Sequence, residues 1–201
     1  MENTKLETTG QTPIEYSVKQ IDRKETLDLI LNKHYAKRVP SISYAFGLFK
    51  NDLLCGVVTY GMPASPFLQE GLLGKENKKY VIELNRLVLT DNLKNEASML
   101  VSRSLKLLPH PKCVVSYADT KQGHLGIVYQ ACNFLFTGTT KPRTDIAAED
   151  GKHPRHHAGD KTIRVQRSAK HRYVIFVGNK KDKKTLQNNL KYSILPYPKE
   201  T

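Results

Sequence analysis

Three polar clusters carry the residue types that move protons. In the run Cys113 to Gly138, Ser116, Tyr117 and Asp119 follow the apolar Cys113-Val114-Val115, and Gly123-His124 comes soon after. A second cluster is His34-Tyr35, with Lys37 and Arg38 behind it. The third is Glu83, Asn85 and Arg86, set into the apolar run Val81 to Leu89. Carboxylate, imidazole and phenol are the groups of general acid–base catalysis. Charged residues inside an apolar strand must pair or face a cleft, because burying them alone costs several kcal/mol or more. Each cluster also has a plainer reading. His34 can be a satisfied core histidine, Glu83 and Arg86 a structural ion pair, and Asp119 the N-cap of the helix that follows.

The elements around these clusters follow from periodicity. Ile14 to Ile21 alternates as a half-buried strand, and Asp22 with Glu25 makes a capping-box start to a helix. On it Leu27, Ile30, Leu31 and His34 fall on one stripe, which turns His34 inward. Ser43 to Phe49 and Leu53 to Tyr60 form a hairpin about Lys50-Asn51-Asp52. Residues 61–80, rich in Gly and Pro, read as a long loop able to cover a ligand, with Phe67 on it. Val81 to Leu89 is a strand, and Ala97 to Leu108 carries a helical stripe behind Asn95 and Ser98. The run from Cys113 then reads strand, polar turn, a helix from Gly123 through Leu125, Val128 and Cys132, and a strand closed by Gly138. Polar groups at the carboxyl end of a parallel-type strand are where α/β folds place ligands. Late strands are expected at Ile163 to Gln166 and Tyr173 to Gly178. The organisation expected is a disordered leader at 1–12, one α/β domain at 13–178 with a basic segment at 139–172, and a basic, Pro-containing tail at 179–201.

The chain of 201 residues carries a net charge of +13, unevenly spread. Residues 1–138 hold 17 Lys and Arg against 13 Asp and Glu, whereas residues 139–201 hold 15 against 6. A basic last third on a nearly neutral body attracts polyanions, nucleic acid first. Arg38, Arg143, Arg155, Arg164, Arg167, Lys170 and Arg172 are the expected phosphate contacts. His153, His156 and His157 have no carboxylate or cysteine spaced to complete a metal site. Cys55, Cys113 and Cys132 are scattered in apolar stretches, as reduced thiols of a cytoplasmic protein would be. No apolar run approaches the roughly 18 residues of a membrane span, and residues 1–13 lack a secretory apolar segment.

The element order resembles the GCN5-related N-acetyltransferase (GNAT) fold: a central, mixed, mostly antiparallel sheet flanked by helices. In that family a Tyr on the helix before a "GF" strand serves as general acid, and Tyr129 in YQACNF is similar, with Asn133 in place of glycine. The family's Gly-rich diphosphate loop is replaced here by TDNLKNEAS, residues 90–98, which conflicts with an acyl-CoA donor. IELNRLVL, NEAS and SYADTKQGHLGIVYQACNFLFTG resemble the bacteriophage Mom family more closely. That resemblance implies a transferase that converts adenine in double-stranded DNA to N6-carbamoylmethyladenine and shields phage DNA from host restriction. Its small-molecule donor is not identified, and iron is the metal the family suggests. On this reading Asp119 orients the amine, His34 or His124 is the base, Tyr129 is the acid, and Ser116 and Tyr117 orient base or donor. Tyr35, Glu83, Asn85, Arg86 and Ser98 build the substrate or donor pocket. An acyl-CoA-dependent acetyltransferase acting on a small molecule or RNA, and a non-catalytic DNA-binding protein, remain alternatives. Monomer and dimer are both compatible with the sequence.

Overall fold

The computed structural model describes residues 14–146 and 163–199. The expected leader at 1–12, Arg155 and the three histidines of HPRHH lie outside the described residues. Seven strands form one sheet in the order β1 (Tyr16–Gln20), β2 (Tyr44–Lys50), β3 (Leu53–Gly61), β4 (Val81–Leu89), β5 (Lys112–Asp119), β9 (Lys170–Val177), β6 (Leu135–Thr139). Every pairing is antiparallel except β4 with β5. The mixed, mostly antiparallel sheet expected from the sequence is therefore what forms.

Two faces of the sheet are covered. On one, α2 (Glu96–Leu107) sets Leu100, Val101 and Leu105 against Phe46, Val58, Tyr60 and Leu84. On the other, α1 (Pro66–Asn77) and α4 (Lys180–Asn188) bring Leu72, Leu73 and Leu186 onto Val81, Cys113, Val115 and Phe176. A short α3 (Ile127–Ala131) precedes β6. A separate two-stranded ribbon pairs β7 (Arg143–Ile146) with β8 (Arg164–Arg167).

One irregularity positions the site. In the β3–β4 ladder Tyr60 faces Leu84 but Thr59 faces Arg86, so Asn85 is an extra residue, a β-bulge. Its amide holds the bulge open: Nδ2 donates to Ser41 O at 2.7 Å and Oδ1 accepts from Thr59 Oγ1 at 2.6 Å. β4 and β5 pair only from Val81 to Glu83 against Cys113 to Val115. Past that point their carboxyl ends have no mutual ladder, and Ser116 Oγ reaches across to Leu84 O at 3.0 Å. A bulge bends and twists its strand, and the gap it opens between two parallel strand ends is the floor of the site.

Several elements differ from the sequence reading. Residues 61–80 are not a loop. They hold α1, with Pro66 at its start, where proline's missing N–H costs nothing, and Gly74 breaking its end at φ +77°. The segment after Asp22 keeps its capping box, with Asp22 N donating to Glu25 Oε1 at 2.8 Å. It winds as a 3₁₀ turn (Arg23–Thr26) and a π turn (Leu29–Lys33) instead of an α-helix. Wider winding rotates the stripe, so Leu29 and Ile30 are buried, Leu31 is exposed, and His34 lies just past the end in extended backbone. The helix expected from Gly123 starts only at Ile127. Asp119 instead caps a 3₁₀ turn at Thr120–Gln122. Residues 179–199 are not a tail. Asn179 and Asp182 form a capping box for α4, Leu195 N donates to Phe136 O at 2.9 Å, and Tyr197 Oη donates to Phe134 O at 2.8 Å. Among the described residues no helix is long and apolar enough to cross a membrane.

Candidate active site

A cavity of about 800 Å³ opens over the gap between β4 and β5. All three polar clusters meet there: His34, Tyr35 and Arg38, then Glu83, Asn85 and Arg86, then Tyr117, His124 and Tyr129. The ribbon and β9 close the remaining side with Arg143, Arg167, Ser168, Lys170 and Arg172.

Glu83 is the group best suited to take a proton. Burial pushes its carboxyl up to about 7, against the opposing pull of the Arg86 and Lys170 charges and the Ala64 amide. A structural Glu83–Arg86 ion pair is not what forms. Arg86 Nε and Nη2 donate to Arg38 O at 3.2 and 2.8 Å, and Nη1 donates to Asn85 O at 2.6 Å. The guanidinium is thus a strut between β4 and the segment after His34. Asn85 is likewise committed to its bulge.

His34 does not fit the role of base. Burial first, then the charges of Arg86, Lys170 and His124, lower its imidazole to about 4, so it is neutral near pH 7. Its Nδ1 accepts from the Ala36 amide at 3.0 Å, which leaves the ring proton on Nε2. The neutral ring is therefore a hydrogen-bond donor at Nε2. It stacks on Tyr35, with centroids 4.4 Å apart.

Tyr129 lines the cavity from α3, its hydroxyl pushed up to about 12, mainly by burial. Burial also raises Tyr117. Ser116 is buried beneath the floor and does not line the cavity; its Oγ–H goes to Leu84 O. Ser98 is outside the site too, since its Oγ donates back to Asn95 O at 3.1 Å on α2. Gly126 has φ +76°, and any Cβ there would meet the Tyr173 ring at 2.4 Å; the chain can turn into α3 at this point only as glycine.

Asp119 sits behind the wall rather than on it. One oxygen accepts from Ser168 Oγ at 2.5 Å and Lys121 N at 3.0 Å, and the other meets Lys170 Nζ at 3.2 Å. Burial alone would raise its carboxyl, but the Ser168 bond, the Lys170 charge and the Lys121 amide together hold it below the usual carboxylate range. Asp119 thus positions Ser168 and Lys170, both of which do line the cavity. The sequence reading missed Ser168, because its partner lies 49 positions away and no local motif marks it.

The basic groups form a rim. Arg167 and Arg143 bracket Asp145 at 3.6 and 4.0 Å, and Arg172 stacks on Tyr192 at 3.5 Å while its Nη2 donates to Thr137 O. Arg164 is exposed on the ribbon, away from the cavity lining.

Comparison with known proteins places this arrangement. Residues 15–199 match the model of the Mom protein family. The chain belongs to the Mom family. A member from Escherichia phage Mu, named methylcarbamoylase mom, is 30% identical over 193 residues, covering 85% of this chain and 78% of that protein. Two solved structures share the fold. A putative acetyltransferase from Salmonella typhimurium, with its cofactor acetyl-CoA, is 11% identical at a TM-score of 0.51 over 82% of this chain and 95% of its own. A probable acetyltransferase from Staphylococcus epidermidis is 8% identical at 0.51, over 82% of this chain and all of its own.

The two groups that the family and fold suggest find poor footing among the described residues. At the start of α2, where a diphosphate would approach the helix amides, the buried Glu96 carboxylate already accepts from Leu93 N at 2.9 Å and Tyr16 Oη at 2.8 Å. Among the described residues no group of three or more His, Cys, Asp or Glu side chains converges to hold a metal such as iron.

Proposed function

We propose that this Mom-family protein is a transferase that places a carbamoylmethyl group on the exocyclic N6 of adenine in double-stranded DNA. The modification would protect phage DNA from host restriction. The observation that carries the reading is a proton acceptor poised near neutrality, Glu83, at the floor of a cavity rimmed by cationic side chains. A neutral amine needs the first, and a nucleic-acid substrate needs the second.

The N6 lone pair is delocalised into the adenine ring, so the amine attacks only as its proton leaves. Ionised Glu83 accepts that proton as the new N–C bond forms to the carbamoylmethyl carbon of a small-molecule donor. The donor's leaving group departs with the bonding electron pair, and the Tyr129 hydroxyl can supply it with a proton. His34 offers Nε2–H to an acceptor on the base. Arg38, Lys141, Arg143, Arg167 and Lys170 line the cavity and are the cations that would meet phosphates flanking the base. Exposed Tyr35 and Ile127 add apolar surface to the cavity lining, suited to stacking against bases.

The test is nucleoside mass spectrometry on DNA from cells expressing the protein. The expected product is an adenosine heavier by one carbamoylmethyl group, and unmodified DNA would overturn the reading. The rim has its own check. DNA affinity should fall with salt at a log–log slope of about −0.9 per phosphate neutralised. Reversing the charge of Arg143 and Arg167 should flatten that slope by about 2 and weaken binding on every sequence alike. An unchanged slope would move the footprint elsewhere.

A further inference from the structure

Two polar groups on the cavity wall have their hydrogen-bonding sense fixed from behind, in opposite directions. A backbone N–H can only donate, so the 3.0 Å contact from Ala36 N makes His34 Nδ1 the acceptor. The neutral ring then carries its one proton on Nε2, and the free edge of His34 donates. An ionised carboxylate can only accept, so the 2.5 Å contact to Asp119 makes Ser168 Oγ the donor there. Serine has one hydroxyl proton, and with it spent Ser168 presents only lone pairs. Lys170 Nζ at 3.2 Å and the Lys121 amide keep Asp119 ionised and in place.

We propose that His34 Nε2–H and Ser168 Oγ form a fixed donor–acceptor pair that selects a base bearing an amino group beside a ring-nitrogen acceptor, and rejects its oxo counterpart. This rests on the reading that the cavity takes an adenine. On adenine the 6-amino group donates, and the neighbouring N1 or N7 accepts. A 6-oxo purine presents an acceptor where the amine was and, on its Watson–Crick edge, N1–H where the acceptor was. It would set oxygen lone pairs against those of Ser168 and a proton against that of His34. A side-chain hydroxyl can usually rotate to suit either partner, and a histidine can change tautomer. Here both escapes are closed by the Asp119 carboxylate and the Ala36 amide, so discrimination does not depend on the ligand's choosing the protein's state. Asp119 then has a role the bare cavity lining conceals: it is the positioning residue that sets the polarity of Ser168.

The probes are the 5′-monophosphates of adenosine and inosine, which differ at this edge and share sugar and phosphate. Titration calorimetry on the wild-type protein should find the adenosine nucleotide bound about tenfold or more tightly, the range of one well-made bidentate base contact. Asp119→Ala removes the one oxygen that accepts from both the Ser168 hydroxyl and the Lys121 amide, and loss of the cap should lower the folding equilibrium by about tenfold. The Ser168 hydroxyl then has no carboxylate to point at, and its proton is free to face the cavity. The preference for adenosine should then collapse towards unity while phosphate-driven binding persists. Ser168→Ala should lower the preference as well. Equal binding of the two nucleotides by the wild type, or an undiminished preference in Asp119→Ala, overturns the inference. Such a result leaves the proposed function standing if modified adenine is still found in DNA. Absence of modified adenine beside an intact preference retires the modification reading and keeps the polarity pair.

Discussion

Glu83→Gln should fold, bind DNA and lose adenine modification by about 10² or more, the range of a positioned general base. The substitution keeps the shape of the side chain and removes only its ability to take a proton. Loss of stability cannot stand in for the effect, and the sign can be worked out. Burial raises the folded-state value to about 7 from an ordinary 4.5. A raised carboxyl binds its proton more tightly in the folded state, so its contribution is fully present below the unfolded value and is lost as pH rises through about 7. At pH 8 the wild type therefore carries a costly buried charge, and the Gln variant should melt at the same temperature or higher. The wild-type rate should follow ionisation of this group, falling as pH drops below about 7. Melting curves and a pH–rate profile on both proteins decide the matter. A Gln variant with near-normal modification, or a wild-type rate flat from pH 6 to 8, removes Glu83 from the chemistry.

Gly126→Ala should cost about 2–4 kcal/mol of stability. Backbone at φ +76° is strained for alanine by about 1 kcal/mol. The added carbon also meets the Tyr173 ring at 2.4 Å, and overpacking of a filled core costs about 1–3 kcal/mol. That ring cannot simply swing aside. Its hydroxyl donates to Leu125 O and accepts from Gln130 Nε2 at 3.2 Å. Strain should spread into the turn that carries His124 and Tyr129, so activity should fall along with the chemical-denaturation midpoint. By contrast, alanine at Gly123, φ +66° with nothing within 4 Å of its added carbon, should cost only the backbone part. Equal losses at the two positions would show that the ring contact contributes nothing.

Much of this was legible in the sequence, and what was not has a common cause. Local signals held: the Asp22–Glu25 box, the turn at Asn51-Asp52 with φ of 47° and 62°, and the polar edge after Val115. The three clusters could be picked out because each sits in a short stretch whose residue types are out of place in an apolar element. Signals that depend on distant partners did not show. Gly71 and Gly74 disguised α1, whose inward Leu72 and Leu73 matter only once β5 and β9 are beneath them. Asp119 stood out by type, yet which side of the wall it faces was decided by Ser168 and Lys170, about fifty residues on. Glu83 and Arg86 looked like an ion pair. The extra residue between them sends Arg86 to the carbonyl of Arg38 instead.

That extra residue also writes a signature into how β4 tolerates change. Before the bulge the even positions, Ile82 and Leu84, pack under α2. After it the odd positions, Leu87 and Leu89, do so, and Val88 turns to the opposite face against Leu29 and Ile30. A map of permitted substitutions along this strand would beat with period two, skip one step at Asn85, and resume in the opposite phase. Deleting that single residue would restore unbroken alternation with Leu87 and Leu89 still beneath α2, yet it would remove the bend at the bulge and bring the two walls of the cavity together.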